Sequence, residues 1–199
     1  MAARRSALDN AAKNSPLQRL ARTAGVKRIS GMLYEELRAI LGVHLEGLVS
    51  AAVVAMKLDK RKSIQLKDVI LALEGNGLAY GGASSKRCEV RKTKRETAKV
   101  RYSRPGTEAL REIKYYQKNS DCLVLPKGPF KRLIKETTYG YVEDTPNVGK
   151  AASLALQTAC EDYLKELLYD ALQSALSCKR VTVSPKDIQL VRRVRKEML

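Results

Sequence analysis

The stretch Lys60-Arg61-Lys62-Ser63-Ile64-Gln65-Leu66-Lys67-Asp68-Val69-Ile70 recurs as Lys179-Arg180-Val181-Thr182-Val183-Ser184-Pro185-Lys186-Asp187-Ile188-Gln189, an offset of 119 residues (179 − 60). The register persists upstream, where Leu37 falls on Leu156, Leu41 on Cys160, Leu45 on Leu164, Leu48 on Leu167, Val49 on Leu168 and Met56 on Ala175. Two long helical patterns therefore share their apolar positions, which marks a tandem of one supersecondary unit. A second block, Pro16-Leu17-Gln18-Arg19-Leu20, matches Pro129-Phe130-Lys131-Arg132-Leu133 at an offset of 113 (129 − 16). The second copy thus carries six extra residues (119 − 113) in its first loop.

Within the first copy, Ser15-Pro16 predicts an N-cap followed by proline at the first helical position, and Gly25 predicts the end of that short helix. Leu33, Leu37, Ile40, His44, Leu48, Ala52 and Ala55 then advance by threes and fours through a proline-free stretch from about Met32 to Asp59. Such a helix is roughly 40 Å long, too long for one small core. Leu41, Leu45, Val49, Val53 and Met56 widen its stripe enough to require a partner helix. Lys60-Arg61-Lys62 closes it, Ile64 suggests a brief extended segment, and a last helix from Leu66 to about Leu73 stops at Asn76-Gly77.

The second copy repeats the plan. Phe130, Leu133 and Ile134 mark its short helix, Tyr139 to Asn147 its lengthened loop, and Gly149 to Cys178 its long helix. Ser184-Pro185-Lys186-Asp187 combines an N-cap, a first-turn proline and a capping-box acid. Arg192, Arg193, Arg195 and Lys196 gather where cations suit the helix dipole. Between the copies, residues 83–104 hold nine Lys or Arg, two Glu and no periodic apolar face, the composition of a flexible basic linker. Arg104-Pro105-Gly106-Thr107 then caps an additional helix to about Lys118, with Leu110, Ile113 and Tyr116 on one side. The expected division is a mobile tail at 1–14, a first unit at 15–82, the linker at 83–104 and a second unit at 105–199. The fold class is all-α.

Lys and Arg number 38 against 21 Asp and Glu, a formal net charge of +17. With the basic residues gathered at loops and helix starts, that excess points to a polyanion, nucleic acid first. The longest apolar run near the core is Ala51 to Met56, short of the ~20 residues of a membrane span. Met1 to Ser15 is small, polar and basic rather than a signal peptide, so a soluble intracellular chain is expected. Cysteines at 88, 122, 160 and 178 form no C-x-x-C pair, and His44 is the single histidine, so no zinc cluster is expected. Cys160 and Cys178 read as small buried hydrophobes, and His44, in the place of Tyr163, as a core or interface residue. There is no phosphate-cradling glycine loop and no nucleophile–base pair, so neither a cofactor nor an enzymatic activity is expected.

These strings carry a resemblance. Gly25-Val26-Lys27-Arg28-Ile29-Ser30-Gly31, Tyr34-Glu35-Glu36 and Lys60-Arg61-Lys62 resemble the H-four type of core histone. Arg104-Pro105-Gly106-Thr107, Ala109-Leu110-Arg111-Glu112-Ile113, Lys179-Arg180-Val181-Thr182 and Pro185-Lys186-Asp187-Ile188-Gln189-Leu190 resemble the H-three type. A fused pair in this order looks like the histone doublets of giant DNA viruses of the marseillevirus type.

The resemblance implies two histone folds in tandem, packed as an intramolecular histone heterodimer. It implies a structural protein that wraps double-stranded DNA without reading its bases and forms nucleosome-like particles with a partner doublet. Localisation on DNA follows, in a viral factory and virion if the chain is viral and in chromatin otherwise. The alternative within the same fold is a subunit of a transcription-factor complex.

The resemblance assigns Lys27 and Arg28 to phosphates and the minor groove, and Arg19 and Arg132 to phosphates near the short helices. Lys60, Arg61, Lys62 and Ser63 are expected beside the second unit's lengthened loop, and Lys179, Arg180 and Thr182 beside Lys27 and Arg28. Lys127 joins the DNA-facing set, as do Arg104 and Arg111 on the additional helix. Leu172, Arg180, Asp187 and Leu190 are assigned to self-association with a second copy, the Arg–Asp pair crossing that two-fold axis. Ala55, Leu58, Leu71 and Gly75 are assigned to the partner-doublet surface. Asn147 stands where the family places a minor-groove arginine.

Overall fold

The computed structural model describes residues 8–77, 82, 104, 106–119, 122–142 and 147–197. The linker apart from Arg104, Cys88 and the segment 78–81 fall outside the described residues. Helix α1 spans Asn14–Thr23 and closes in a Schellman turn. The Val26 N–H donates to Ala21 O (2.9 Å) and the Gly25 N–H to Arg22 O (3.0 Å). Gly25 sits at φ +89°, a conformation that favours glycine.

Helix α2 runs Leu33–Leu58 over 26 residues and buries Leu37, Leu41, Leu45, Leu48, Val49 and Ala52. By length and composition it would pass for a membrane span, with a mean hydropathy of 1.9 over its most apolar window. The six-residue run in the sequence gave no hint of this. The stripe is instead covered by other helices of the protein. Helix α3 spans Leu66–Gly75, α4 Thr107–Lys118, α5 Lys127–Tyr139, α6 Lys150–Ser177 and α7 Pro185–Val194.

Four two-residue strands join the units, where the sequence suggested a single extended segment. β1 (Arg28–Ile29) pairs in parallel with β4 (Thr182–Val183), placing Arg28 opposite Thr182. β2 (Ser63–Ile64) pairs in parallel with β3 (Asn147–Val148), placing Ser63 opposite Asn147. The Ser30 N–H donates to Val183 O and the Gly149 N–H to Ile64 O, each at 3.0 Å. Arg28 and Asn147, Ser63 and Thr182, Ser30 and Gly149 each differ by the repeat offset, so one bridge is the image of the other. Each bridge ties the loop before one long helix to the loop after the other. The long helices therefore run antiparallel.

Helix α2 packs on α6, α1 and α3 pack on α6, and α5 packs on α2. At the centre His44 stacks on Tyr163, its repeat equivalent, with centroids 3.9 Å apart and planes within 7°. One continuous core results, in which Leu20 and Leu45 share a cluster with Leu125, Leu164 and Ile188. Buried Glu161 fastens the segment ahead of α5. Its carboxylate accepts from the Val124 N–H (2.9 Å), the Leu125 N–H (3.0 Å) and Gln157 Nε2 (3.0 Å). Burial pushes that carboxyl up, and the same donors pull it part of the way back.

Several expectations need correction. The residues assigned to a mobile tail include Ala11 and Ala12, both fully buried, and 8–11 form a helical turn. Leu8 packs against this core. Arg38 Nε donates to Ala12 O (2.9 Å) and a further Arg38 nitrogen to Asn14, so α1 starts one residue before Ser15, with Lys13 in the N-cap position. Ser15 is no cap, and Pro16 is the third residue of the helix, where its missing N–H still has no helical acceptor. Cys178 is exposed, because the long helix ends at Ser177 and the turn leaves the core. On α4 only Tyr116 is buried, and Leu110 is 53% exposed, since α4 rests on α1 along one narrow side.

The exchange of short helices generates a prediction. A chain cut between residues 83 and 104 is expected to keep its helicity while both pieces are present. Either piece alone exposes the faces of its long helix and is expected to lose most of its ellipticity at 222 nm. A separated piece that melts as cooperatively as the intact chain contradicts this.

Candidate nucleic-acid interface

The two bridges fix two composite basic surfaces, one at each end of the long helices. At the first, Lys27 and Arg28 of the loop before α2 lie beside Thr182 of the loop after α6. Arg28 and Thr182 are exposed, and a polar hollow of about 340 Å³ opens there, lined also by Gln18, Arg22 and Tyr34. At the second, exposed Lys60 and Lys62 directly precede Ser63, which lies opposite the exposed Asn147.

The loops are held by charges turned inward. Arg22 is buried, and its guanidinium donates to Val26 O (2.7 Å), to Lys27 O, and through Nε to Glu112 of α4 (3.1 Å). That contact brings α4 against the first basic loop. Gly106 is at φ +86°, a conformation that favours glycine, and it lies close to the end of the Lys27 side chain, Cε standing 2.7 Å from where a Cβ would be. Arg104 and Arg111, both exposed, are thereby carried by the element that adjoins Lys27. Arg19 on α1, with Lys127 and Arg132 on α5, are exposed as well.

Arg61 and Arg180 behave differently from the set they were assigned to. Arg180 grips Asp187 with both terminal nitrogens (2.7 and 3.1 Å), and Arg61 grips Asp68 likewise (2.5 and 3.2 Å). Asp187 also accepts from the Ser184 N–H (2.8 Å), and Asp68 from the Gln65 N–H (2.7 Å). Each arginine thus pins its loop to the start of the last helix, and its charge is already matched. Arg180 and Asp187, assigned to a contact with a second copy, pair with each other within the chain. Leu172 is half-buried, its Cδ2 within 3.8 Å of where a Gly25 Cβ would lie, whereas Leu190 is 51% exposed. Of the partner-surface residues, Ala55 is buried against its own core, while Leu58, Leu71 and Gly75 are exposed.

The turns ahead of these clamps are strained in the same way. Lys60 and Lys179 hold φ of 53° and 55°, and the next N–H reaches back in each, Arg61 to Met56 O (3.2 Å) and Arg180 to Ala175 O (2.9 Å). A side chain in this region costs about 1–2 kcal/mol relative to the right-handed form. The strain recurs at equivalent positions and leaves both ammonium groups exposed.

Arg22, Glu112 and the Asp68 and Asp187 anchors were missed as loop-positioning residues. Recurrence of Arg61 and Asp68 as Arg180 and Asp187 at one offset was the available signal. Arg22 and Glu112 lie 90 residues apart without a counterpart, so nothing in the sequence couples them.

Residues 105–194 match the family model described as the core histone H2A/H2B/H3/H4 domain. The C-terminal half of this mostly helical chain is a histone-fold domain.

Asp187 sets a pH dependence. Burial alone would raise its carboxyl, but hydrogen bonds from Arg180 and from the Ser184 N–H and hydroxyl outweigh it, and the group lies below its ordinary range. A depressed carboxylate stabilises the fold above its unfolded value of about 3.9, and the contribution is lost as pH falls through the folded value. Asp187→Asn is expected to melt lower than wild type at pH 7 and to lose less on acidification below pH 4. Parallel curves of thermal midpoint against pH for the two proteins count against the assignment.

Proposed function

We propose that this chain is a structural DNA-packaging protein in which two histone folds, 15–82 and 105–199, pair within one molecule. It binds double-stranded DNA without sequence preference through the two bridged loop surfaces and the short helices. The observation that carries this is the image relation of the bridges. They set Lys27, Arg28 and Lys179 at one end of the antiparallel helices and Lys60 and Lys62 at the other, separated by roughly 40 Å of helix. Cations repeated at that spacing suit the phosphate backbone of a bent duplex.

In this reading the chain is a histone doublet of the giant-virus type. Four-fold assembly uses the exposed Leu190 end of the second unit against a second copy, and the Leu58–Leu71–Gly75 end of the first unit against a partner doublet. The particles are nucleosome-like, and the protein resides on packaged DNA. Covalent fusion makes pairing of the folds intramolecular, at an effective concentration set by the linker.

If Arg28 meets the duplex, Arg28→Ala weakens binding on every sequence and lowers the slope of log affinity against log salt by about 0.9. An unchanged slope in binding titrations contradicts its role.

At the other bridge the equivalent position is Asn147, which is exposed and neutral. Asn147→Arg is expected to raise the salt concentration at which DNA is released. Release at the wild-type concentration places that loop away from the backbone.

A further inference from the structure

The second basic surface has Asn147 in the place of Arg28 but carries a feature of its own. The six extra residues fall between α5 and β3, where the chain displays Tyr139 and Tyr141, 52% and 40% exposed. The Tyr141 and Val142 N–H groups both donate to Thr138 O (3.0 and 3.2 Å), which turns the chain directly off the end of α5. Buried Thr137 and Thr138 donate back to Leu133 O (2.9 Å) and Ile134 O (2.7 Å), and Val142 packs on the core. From across the unit boundary, Lys57 Nζ donates to Tyr141 O at 3.2 Å. Lys57 is in the last turn of α2, one turn ahead of the exposed Lys60. Two exposed phenol rings therefore stand beside a cationic loop.

Duplex phosphates have little use for exposed aromatic rings, because stacked bases hide their faces. Unpaired bases offer those faces, and aromatic groups alternating with cations are how proteins hold single strands without reading sequence. We propose that Tyr139 and Tyr141, with Lys57 and Lys60, form a binding surface for unpaired nucleotides. Lysines take the phosphates and the phenol rings stack on bases. This rests on the nucleic-acid reading above and adds a second ligand class at one end of the molecule. The end carrying Arg28 has no such pair in its loop, which passes directly from Gly25 to Ser30.

The test uses the full chain, labelled oligo-thymidine and a duplex of equal length, read by fluorescence anisotropy over a salt series. Tyr139→Ser with Tyr141→Ser is expected to lose about tenfold or more in affinity for the oligonucleotide. The salt slope stays unchanged, because tyrosine releases no counterion. Duplex affinity stays within about twofold, as stacked pairs offer the rings nothing. The double phenylalanine variant remains near wild type. Oligonucleotide binding unaffected by the serine pair overturns the proposal, as does an equal loss on oligonucleotide and duplex. If serine lowers the thermal midpoint, the double glutamine variant, which suits the end of α5, gives the same comparison. Arg28→Ala, run alongside, separates the two readings. An unaltered duplex salt slope with a lost oligonucleotide in the serine pair removes the packaging reading and leaves this one standing.

Discussion

Neither long helix carries enough of its own unit to cover its apolar faces, and an exchange across the approximate two-fold supplies the remainder. Helix α1 lies on α6 and α5 lies on α2, while each loop strand pairs with a strand of the other unit. The hydrophobic effect sets the scale, since fully burying one leucine is worth about 1.5–3 kcal/mol. Leu37, Leu41, Leu45, Leu156, Leu164 and Leu168 are all fully buried. The bridges contribute little by comparison, being two residues long. Their work is registration: sliding one helix along the other would unpair four backbone segments at once. The positions of the basic loops are thus a consequence of core packing, not of the loops' own preferences.

Given that placement, what the loops present is decided by which charges are consumed internally. Arg61 and Arg180 are spent on buried aspartates, as Arg22 is on two carbonyls and a glutamate. A buried carboxylate without a partner is costly, so these arginines cannot leave without disordering the turn they close. Lys60 and Lys179 occupy strained backbone directly beside them. A glycine would relieve the strain, yet lysine stands in both copies. Strained turns of this kind persist only where the surroundings over-determine them, and here the surroundings are the clamp and the helix end.

The repeat made the architecture legible. Apolar spacing fixed the long helices to within a residue, because threes and fours sustained over seven turns admit no strand. The capping box at Ser184 and the stop at Gly25 were readable because each rests on local chemistry. What escaped is non-local. Ala11 and Ala12 are too small to announce burial, and only docking of the preceding turn buries them. Arg61 and Arg180 resemble their surface neighbours in every sequence property, and only the facing aspartate separates clamp from contact. The α4 helix shows three apolar residues at helical spacing, but a helix lying across one neighbour covers only one of them fully.

Because the scaffold is close to symmetric, differences between equivalent positions carry the chemistry. Arg28 corresponds to Asn147, and the two occupy equivalent places in the two bridges. Only one end gains α4 with Arg104 and Arg111, and only the other gains the extension with Tyr139 and Tyr141. The centre is uneven too. His44 faces Tyr163, whose hydroxyl donates to Glu197 at 2.6 Å, while the buried His44 Nε2 has no hydrogen-bond partner among the described residues. Burial holds the imidazole below its usual range, and the Glu197 charge only partly opposes this, so the neutral ring is favoured in the fold. A neutral ring stacks on tyrosine without a charge to solvate, and the pair forms one wall of an open pocket lined also by Asn76, Glu166 and Arg195.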